Sequence, residues 1–286
     1  MNIIQLFKNF PTQNDCIQHI EQVRWSGNPI CPYCESDKYS VLPKEHRYHC
    51  NKCNTSYSVT VGTIFHNTKL PLQKWFLAIS IILNAKKGIA SRQLARDIEV
   101  TKDTAWRMQM QIRKAMGQYK ELLHGIVEMD ETYIGGKPRP GTGEHKRGRG
   151  TKKTPVIGII ERDGNVKAKV QRKDRMKFKD MKKLVNENVD KDSSVLMTDE
   201  YKGYSPMPSI IKHKTINHSA KQYVDGDIHT NTIEGFWAIL KRGIFGQYHH
   251  VSKRHLNKYI NEFCFKYNNR KNDLVFDMLL LNGVNL

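Results

Sequence analysis

The spacing of apolar residues changes partway along the chain. Before residue 120 these residues recur mostly at helical spacing, which predicts a helical lead-in over residues 1–28 and further helices over 70–120. From Gly125 onward, short apolar runs of strand length are separated by Gly and Asp turns. The change places a domain boundary near residues 120–125 and makes 125–286 a second domain.

The second half alternates strand-like and helix-like segments. Strands are predicted at 126–134, 155–161, 166–171, 194–199 and 209–216, and helices at 175–189, 231–243 and 252–270. The turn residues 163–165, Asp-Gly-Asn, predict a hairpin between the second and third strands. This order is that of an RNase H-like mixed sheet flanked by helices, so we predict an α/β fold.

The charge balance points to a polyanionic partner. Lys and Arg number 47 against 28 Asp and Glu, a net charge of +19. Nucleic acid is the commonest such partner, because each neutralised phosphate releases a counterion. The stretch 137–153 holds seven Lys or Arg and one Glu. We predict that it contacts DNA, with a solvated loop as the alternative; the candidate residues are Lys137, Arg139, Lys146, Arg147 and Arg149.

No membrane segment or secretory signal is predicted. The longest apolar run, 75–83, is shorter than the roughly 20 residues that a membrane span needs. The N-terminus shows no long apolar core and no small-residue cleavage site. We therefore expect an intracellular protein without a membrane partner, cytoplasmic and associated with the nucleoid.

Residues 29–57 contain four of the six cysteines, as Cys31-Pro-Tyr-Cys34 and Cys50-Asn-Lys-Cys53. Fifteen residues separate the two pairs, a spacing typical of a zinc ribbon, in which two knuckles present four thiolates at tetrahedral geometry. We predict one structural zinc bound by Cys31, Cys34, Cys50 and Cys53. Cys16 and Cys264 lack such spacing and are expected to be ordinary buried thiols.

Residues 89–108 predict two short helices that resemble a helix-turn-helix. Ser91 and Thr101 are the expected caps of the two helices. The expected packing residues are Leu94, Ala95, Ile98, Ala105 and Met108. The second helix would present four side chains to a DNA major groove, namely Lys102, Asp103, Thr104 and Arg107. A plain helical hairpin fits the same pattern and is the alternative.

Two aspartates lie where predicted buried strands end. Asp130 lies in the first strand of the second half, and Asp199 ends the apolar run that begins at Val195. Carboxylates on neighbouring strands can hold two divalent cations about 4 Å apart, and oxygen ligands suit Mg²⁺ or Mn²⁺. We predict such a site at Asp130 and Asp199, with a turn or cap role as the alternative for either residue.

A third segment, 229–243, predicts a helix with one buried face. Its apolar stripe consists of Ile233, Phe236, Trp237 and Leu240. Asn231 and Glu234 share a face near the helix start, and Lys241 follows Glu234 by two turns, where it could reach a phosphate beside the metals. The spacing of Asn231 and Glu234 also fits a helix capping box.

These blocks carry a family resemblance. MDETYIGGK, TDEYKGY and HTNTIEGFWAILKRGIFGQYHHVS resemble the catalytic blocks of ISXO-type insertion-sequence transposases, the fifteen-ninety-five family. The resemblance extends over the zinc ribbon and the helices between. It implies an RNase H-like domain whose metal ligands are Asp, Asp and Asn or Glu, and it places Asp130 and Asp199 as the first two. If the third ligand is an Asn, as in one version of the family set, it falls on Asn231. The spacing between the third ligand and Lys241 favours Glu234 instead.

The match is incomplete near the C-terminus. The family tends to show a Glu followed by basic residues four and seven positions later, and this chain has Glu262, Lys266 and Asn269. The last basic position is therefore missing. Arg270 is adjacent and is the candidate substitute.

The resemblance implies a transposase that binds the ends of an insertion sequence and cuts and joins DNA strands with Mg²⁺ or Mn²⁺. Two ends are joined in one event, so we expect a homodimer or a larger assembly. Two other functions remain open: a non-catalytic regulator that uses only the zinc ribbon and helix-turn-helix, and a structure-selective nuclease of the same fold.

Overall fold

The computed structural model describes residues 1–117, 120–135, 153–171, 178–216 and 229–286. The chain divides into two compact units, Met1–Gly117 with Lys271–Leu286 and Gln118–Arg270. Five candidate DNA contacts lie outside the described residues, namely Lys137, Arg139, Lys146, Arg147 and Arg149. No helix in the described part of the chain is both long and apolar enough to cross a membrane.

Helices and strands follow the sequence pattern closely. The helices are α1 (Ile3–Asn9), α2 (Gln13–Trp25), α3 (Leu72–Asn84), α4 (Ser91–Asp97), α5 (Lys102–Ala115), α6 (Phe178–Asn188), α7 (Asn231–Gly243), α8 (Leu256–Asn268) and α9 (Val275–Val284). The strands are β1 (Tyr39–Leu42), β2 (Arg47–Cys50), β3 (Ser56–Tyr57), β4 (Leu123–Ile134), β5 (Thr154–Glu161), β6 (Val166–Val170), β7 (Val189–Asp199) and β8 (Lys212–Ile216).

The N-terminal unit combines a helical lead-in, a small three-stranded sheet and a helical bundle. Capping boxes start α1 at Asn2 and α2 at Thr12, which satisfies amides that have no partner inside a helix. The strands β1, β2 and β3 form an antiparallel sheet that carries the cysteine pairs. The predicted helical lead-in is therefore confirmed as two short helices.

The C-terminal helix belongs to a different unit from the one that the sequence predicts. The sequence assigns 125–286 to one domain, but α9 packs against α2, α3 and α5 of the N-terminal unit. Phe276 lies edge-on to Phe76 with ring centroids 5.5 Å apart, and the Gly283 carbonyl accepts a hydrogen bond from the Ile64 amide. An apolar helix is stable in any core that accepts its side chains, so its pattern alone does not identify the domain that it joins.

The second unit is a three-layer α/β fold. Its sheet has the order β6-β5-β4-β7-β8, in which β4 pairs antiparallel with β5 and parallel with β7. One face packs against α7 and α8, and the other against α6. The predicted α/β fold, a mixed sheet flanked by helices, is confirmed.

Candidate functional site

The four cysteines of the ribbon form one compact cluster. Their sulfur atoms all lie within 4.8 Å of one another, with 3.7 Å between Cys31 and Cys53 and 3.5 Å between Cys34 and Cys50. A tetrahedral zinc with Zn–S bonds near 2.3 Å places its thiolates about 3.8 Å apart. The geometry therefore fits one zinc ion and is too wide for disulfides, which are bonded at about 2.05 Å.

The two knuckles have matching backbone geometry. The residue after each pair, Glu35 or Asn54, has a φ near +57° and donates its amide to the carbonyl of the first cysteine of that pair. Backbone amides of Cys53 and Lys52 lower the pKa of the Cys50 thiol to about 6, which favours the thiolate that zinc requires. The tight turn of the second knuckle thus favours the metal-binding form of Cys50.

The remaining cysteines are buried away from this cluster. Cys16 and Cys264 are both fully buried, and burial raises the pKa of each thiol to about 12. Such thiols stay protonated at neutral pH and are poor ligands and nucleophiles. Their predicted status as ordinary buried thiols is confirmed.

The pair α4 and α5 has the two-helix arrangement expected from the sequence. Thr101 caps α5, accepting a hydrogen bond from the Thr104 amide. Ser91 is not a cap, because α4 begins at Ser91 itself and its hydroxyl donates to Gln109. All five predicted packing residues are buried. Lys102, Asp103 and Arg107 are exposed and Thr104 is half-buried, so these side chains are available on the surface of α5.

Strand register brings the two predicted aspartates together. The pairing of β4 with β7 matches Glu128 to Met197, and the same offset of 69 places Asp130 opposite Asp199. Neighbouring strands lie about 4.8 Å apart, and residues two positions apart share a face. Asp130 is not at the end of β4, because β4 continues to Ile134 along β5, but it lies just beyond the pairing with β7.

Asp130 lies in an environment of unbalanced negative charge. Burial raises the pKa of its carboxyl to about 7, and the nearby charges of Glu131, Asp199 and Glu234 act in the same direction. Asp199 accepts a hydrogen bond from the Tyr201 amide. A divalent cation would relieve this repulsion, so the carboxylates suit a metal ion in their chemistry.

Trp237 holds the Asp130 carboxylate from α7. Its indole Nε1 donates to Oδ2 of Asp130 at 3.1 Å. The ring reaches this position because Gly158, paired with Asp130 on β5, has no side chain: a Cβ there would lie 2.6 Å from Cη2 of Trp237. Gly158 is thus required by the close approach of the Trp237 ring. Trp237 packs in the core and also orients the Asp130 carboxylate.

Gly158→Ala is therefore expected to move the indole away from Asp130. The buried ring is rigid, so overpacking should cost about 1–3 kcal/mol of stability. Displacement of a group that orients Asp130 should lower the DNA cleavage that the sequence resemblance implies roughly 10- to 100-fold. Thermal denaturation and cleavage rates of the purified variant test both effects.

Gly164→Ala is the matched control for that variant. Its new Cβ would meet the carboxylate of Glu161, which ends a flexible side chain and can turn aside. We expect near-normal cleavage from Gly164→Ala. Equal cleavage by the Gly158 and Gly164 variants would show that the position of Trp237 is unimportant.

The start of α7 differs from a capping box. The N-cap is Thr230 rather than Asn231, and no side chain of Thr230 caps the helix. Glu234 accepts a hydrogen bond from the Thr230 hydroxyl at 3.3 Å, and both Asn231 and Glu234 are exposed. The capping interpretation of Asn231 is therefore wrong. Lys241 lies in the last turn of the same helix and is half-buried.

The sequence did not identify Glu128 as a site residue. This side chain is fully buried, two residues before Asp130 on the same face of β4, and it accepts hydrogen bonds from the start of α7 and from Arg162. Side chains alternate between the two faces of a strand, and this alternation places Glu128 on the face that packs against the core. A Glu buried there must have hydrogen-bond partners, which is the signal that could have identified it.

Tyr204 was also missed, although it lies within the TDEYKGY block. Its hydroxyl donates to Oε2 of Glu131 at 2.7 Å, and burial together with the charge of Glu131 raises the pKa of the tyrosine well above its usual value. The tyrosine therefore anchors Glu131, the residue next to Asp130, in the α6 face of the sheet.

The C-terminal basic residues point elsewhere. Lys266 forms an ion pair with Glu262 at 2.5 Å; Glu262 is buried and the Lys266 side chain is 9% exposed. Arg270 donates to the carbonyls of Asp163 and Gly164 in the β5–β6 turn and stacks on Tyr267 with its guanidinium carbon 4.2 Å from the ring centroid. Arg270 was the candidate to replace the missing basic residue at position 269. Its contacts favour a structural role within this unit instead.

Comparison with known families gives two matches within the chain. Residues 122–268 match the ISXO2-like transposase domain, and residues 11–56 match a transposase zinc-ribbon domain. The second match covers the four-cysteine cluster and supports zinc as its metal. The first covers β4 to α8 and contains Asp130, Asp199, Asn231, Glu234 and Lys241.

One relative agrees in sequence with the family matches. An uncharacterized protein in transposable element ISH50 of Halobacterium salinarum is 27% identical over 276 residues, which cover 90% of this chain and 91% of that protein. Two structures of Mos1 transposase, a paired-end complex with the left transposon end and a pre-cleavage transpososome, align with 73% of this chain and 74% of theirs. Their identities are 15% and 14% and their TM-scores 0.31 and 0.30, values too low to establish a shared fold.

Proposed function

This chain belongs to the family of transposases defined by the ISXO2-like transposase domain, and we propose that it cuts and rejoins DNA at the carboxylates of Asp130 and Asp199. The supporting observation is the register of β4 and β7: continued two residues past its last pair, Glu128 and Met197, it brings Asp130 beside Asp199. The reaction is phosphoryl transfer in which water, and later a DNA 3′-hydroxyl, attacks phosphorus. No covalent enzyme intermediate is required.

Asp130 and Asp199 are the proposed ligands of Mg²⁺ or Mn²⁺. Their fit to such ions rests on oxygen donors and on the repulsion that raises the pKa of Asp130. When bound, two divalent cations would activate the attacking oxygen and stabilise the leaving oxygen of an in-line displacement. Trp237 keeps the Asp130 carboxylate oriented through its indole hydrogen bond.

We assign the third ligand to Glu234. Its charge contributes to the raised pKa of Asp130, so the two carboxylates interact, and it lies on the first turn of α7. Asn231, the first residue of the helix, is the competing candidate that the Asn version of the family set favours. Lys241, two turns after Glu234, is the proposed phosphate contact.

Comparison of Asn231→Ala with Glu234→Ala decides this assignment. Because the hydrogen bond that Glu234 accepts from the Thr230 hydroxyl is long, at 3.3 Å, and only partly buried, its removal should cost less than about 1 kcal/mol of stability. Loss of a metal ligand should instead lower cleavage by about 10²-fold or more, since each tenfold corresponds to 1.4 kcal/mol of transition-state stabilisation. Cleavage rates and melting curves separate the two effects.

We expect Asn231→Ala to retain most activity. Lys241→Ala should lose less activity than Glu234→Ala, since it removes a phosphate contact and leaves the metal ligands in place. A severe defect in Asn231→Ala with normal cleavage by Glu234→Ala would transfer the ligand role to Asn231.

Recognition of DNA is assigned to the N-terminal unit and the basic stretch. Lys102, Thr104 and Arg107 on α5 are the proposed groove contacts, and 137–153 remains the predicted nonspecific contact. Joining of two ends in one event favours a homodimer or larger assembly. Action on chromosomal DNA would place the protein at the nucleoid in the cytoplasm.

The two alternative functions differ from transposition in their reaction products. A structure-selective nuclease of the same fold would cut DNA without joining it, whereas a regulator would bind the ends without cutting. The intact trio of Asp130, Asp199 and Glu234 favours a catalyst over a regulator. A strand-transfer assay with the element's own ends therefore tests the proposal.

A further inference from the structure

We infer that Glu128, together with Arg162, is a positioning residue that sets the first turn of α7 against the carboxylate site. The inference rests on the proposed function, because it concerns how the third ligand reaches Asp130. It assigns a role to the buried carboxylate that immediately precedes the MDETYIGGK block, whose side chain has no exposed surface.

Glu128 acts as the cap that α7 lacks in its own sequence. The amides of Thr232 and Ile233 donate to its Oε2 at 2.9 and 3.0 Å, and the Thr232 hydroxyl donates to Oε1 at 2.9 Å. Thr230, the residue at the N-cap position, contributes no side-chain cap. A negative charge at a helix N-terminus is favourable, and here it comes from a strand residue 104 positions earlier.

Arg162 ties the same carboxylate to the chain that enters the helix. Its Nε donates to Oε1 of Glu128 at 2.8 Å, and its Nη2 donates to the carbonyl of His229 at 2.9 Å. The Arg162 side chain is 16% exposed, so the ion pair is shielded from water. A buried charge with this many partners fixes geometry more strictly than apolar contact does, because each hydrogen bond requires its own distance and angle.

The clamp and the candidate site share one strand and one helix. Glu128 and Asp130 face α7 from alternate positions of β4, and α7 returns a second contact through Trp237 to Asp130. Glu234 lies between these two attachment points, at Ile233 and Trp237. The apolar stripe alone would tolerate small rotation or sliding of the helix. The two polar attachments remove that freedom and so determine where Glu234 lies relative to Asp130.

The test uses the zinc-loaded full-length protein with its tryptophans labelled with ¹⁵N and Mg²⁺ alone as the probe. The chain has four tryptophans, of which only Trp237 lies in the second unit. A Trp237→Phe variant assigns its indole signal. In Glu128→Gln the side-chain amide would face hydrogen-bond donors, so we expect the Trp237 signal to move or broaden. The Mg²⁺ midpoint should rise at least tenfold, while the other three indole signals stay in place.

Asn268→Ala is the matched control. The Asn268 side chain also bridges two elements of this unit by two hydrogen bonds, to the amide and carbonyl of Val166 on β6, away from the strand pair β4–β7. It should lower the melting temperature while leaving the Trp237 signal and the Mg²⁺ midpoint unchanged. The same result for Glu128→Gln would overturn the inference and leave Glu128 a purely structural residue.

Two further outcomes are also decisive. If Glu128→Gln does not fold, Arg162→Lys serves instead, since one ammonium cannot reproduce both guanidinium contacts; an unshifted Trp237 signal in that variant contradicts the inference. If the wild-type protein shows no response to Mg²⁺, the proposed metal chemistry fails. The Trp237 signals of wild type and variant, compared without Mg²⁺, then still decide whether Glu128 positions α7.

Discussion

Asp130→Asn and Asp199→Asn should each abolish strand cleavage and joining while leaving binding to the element ends nearly intact. Each change removes an anionic metal ligand but keeps the shape of the side chain. Loss of several kcal/mol of metal-assisted stabilisation corresponds to at least about 10³-fold in rate. Gel-based cleavage assays and binding titrations on the same end fragment measure the two properties separately.

Melting curves are the control for folding of the second unit, since the proposed recognition elements α4, α5 and the zinc ribbon lie in the other unit. Full activity of Asp130→Asn would refute the proposed site and leave only DNA binding. A large fall in melting temperature together with lost cleavage would mean instead that the carboxylates support the fold.

Asp130→Asn should also change how stability depends on pH. The pKa of Asp130 is raised from 3.8 to about 7 in the folded protein, so between these values the folded chain keeps a proton that the unfolded chain has lost. This contribution to stability is complete below the unfolded pKa and is lost as the pH rises through about 7. Without added Mg²⁺ at pH 8, Asp130→Asn should therefore melt at a higher temperature than wild type, and at pH 4 the difference should vanish.

Loss of zinc is the second change with a large expected effect. The purified protein should contain about one zinc per chain, bound by four thiolates. Cys50→Ser should lose that zinc and unfold the ribbon, because structural zinc contributes on the order of 10 kcal/mol to modules of this kind. Metal analysis and DNA-end binding of the variant measure the result, and binding should fall with zinc content.

Cys16→Ser is the matched control for the zinc experiment. Cys16 is as deeply buried as Cys50 but lies in α2, outside the sulfur cluster. Its replacement should leave the zinc content unchanged. Zinc loss from Cys16→Ser, or a folded ribbon in metal-free protein, would contradict the assignment of the ligands.

The sequence predicts best where the chemistry depends on local spacing. The four zinc ligands follow from two CxxC pairs, because each knuckle is completed within a few residues. Strands β4 to β8 follow from short apolar runs, and Thr101 was recognised as the cap of α5. The approach of Asp130 to Asp199 is predicted from their positions in two buried strands, although β4 continues past Asp130 to Ile134.

Long-range contacts account for what the sequence did not predict. The cap of α7 comes from Glu128, so the local capping box that the spacing of Asn231 and Glu234 allowed as an alternative is not formed. Gly158 has meaning only once its pairing with Asp130 and the approach of Trp237 are known. Helix α9 carries an apolar pattern that any core could accept, and the N-terminal unit supplies that core. These features depend on register and packing, which the periodicity of one segment does not specify.

The most direct test of the central claim is a strand-transfer assay with purified protein, DNA carrying the element's own ends, a target plasmid and Mg²⁺. The account predicts cleaved ends and products in which those ends are joined to the target, both absent with Asp199→Asn. Cleaved ends without any joined product would contradict the transposase mechanism and identify a nuclease. No reaction from zinc-loaded protein that binds the ends would contradict catalysis altogether.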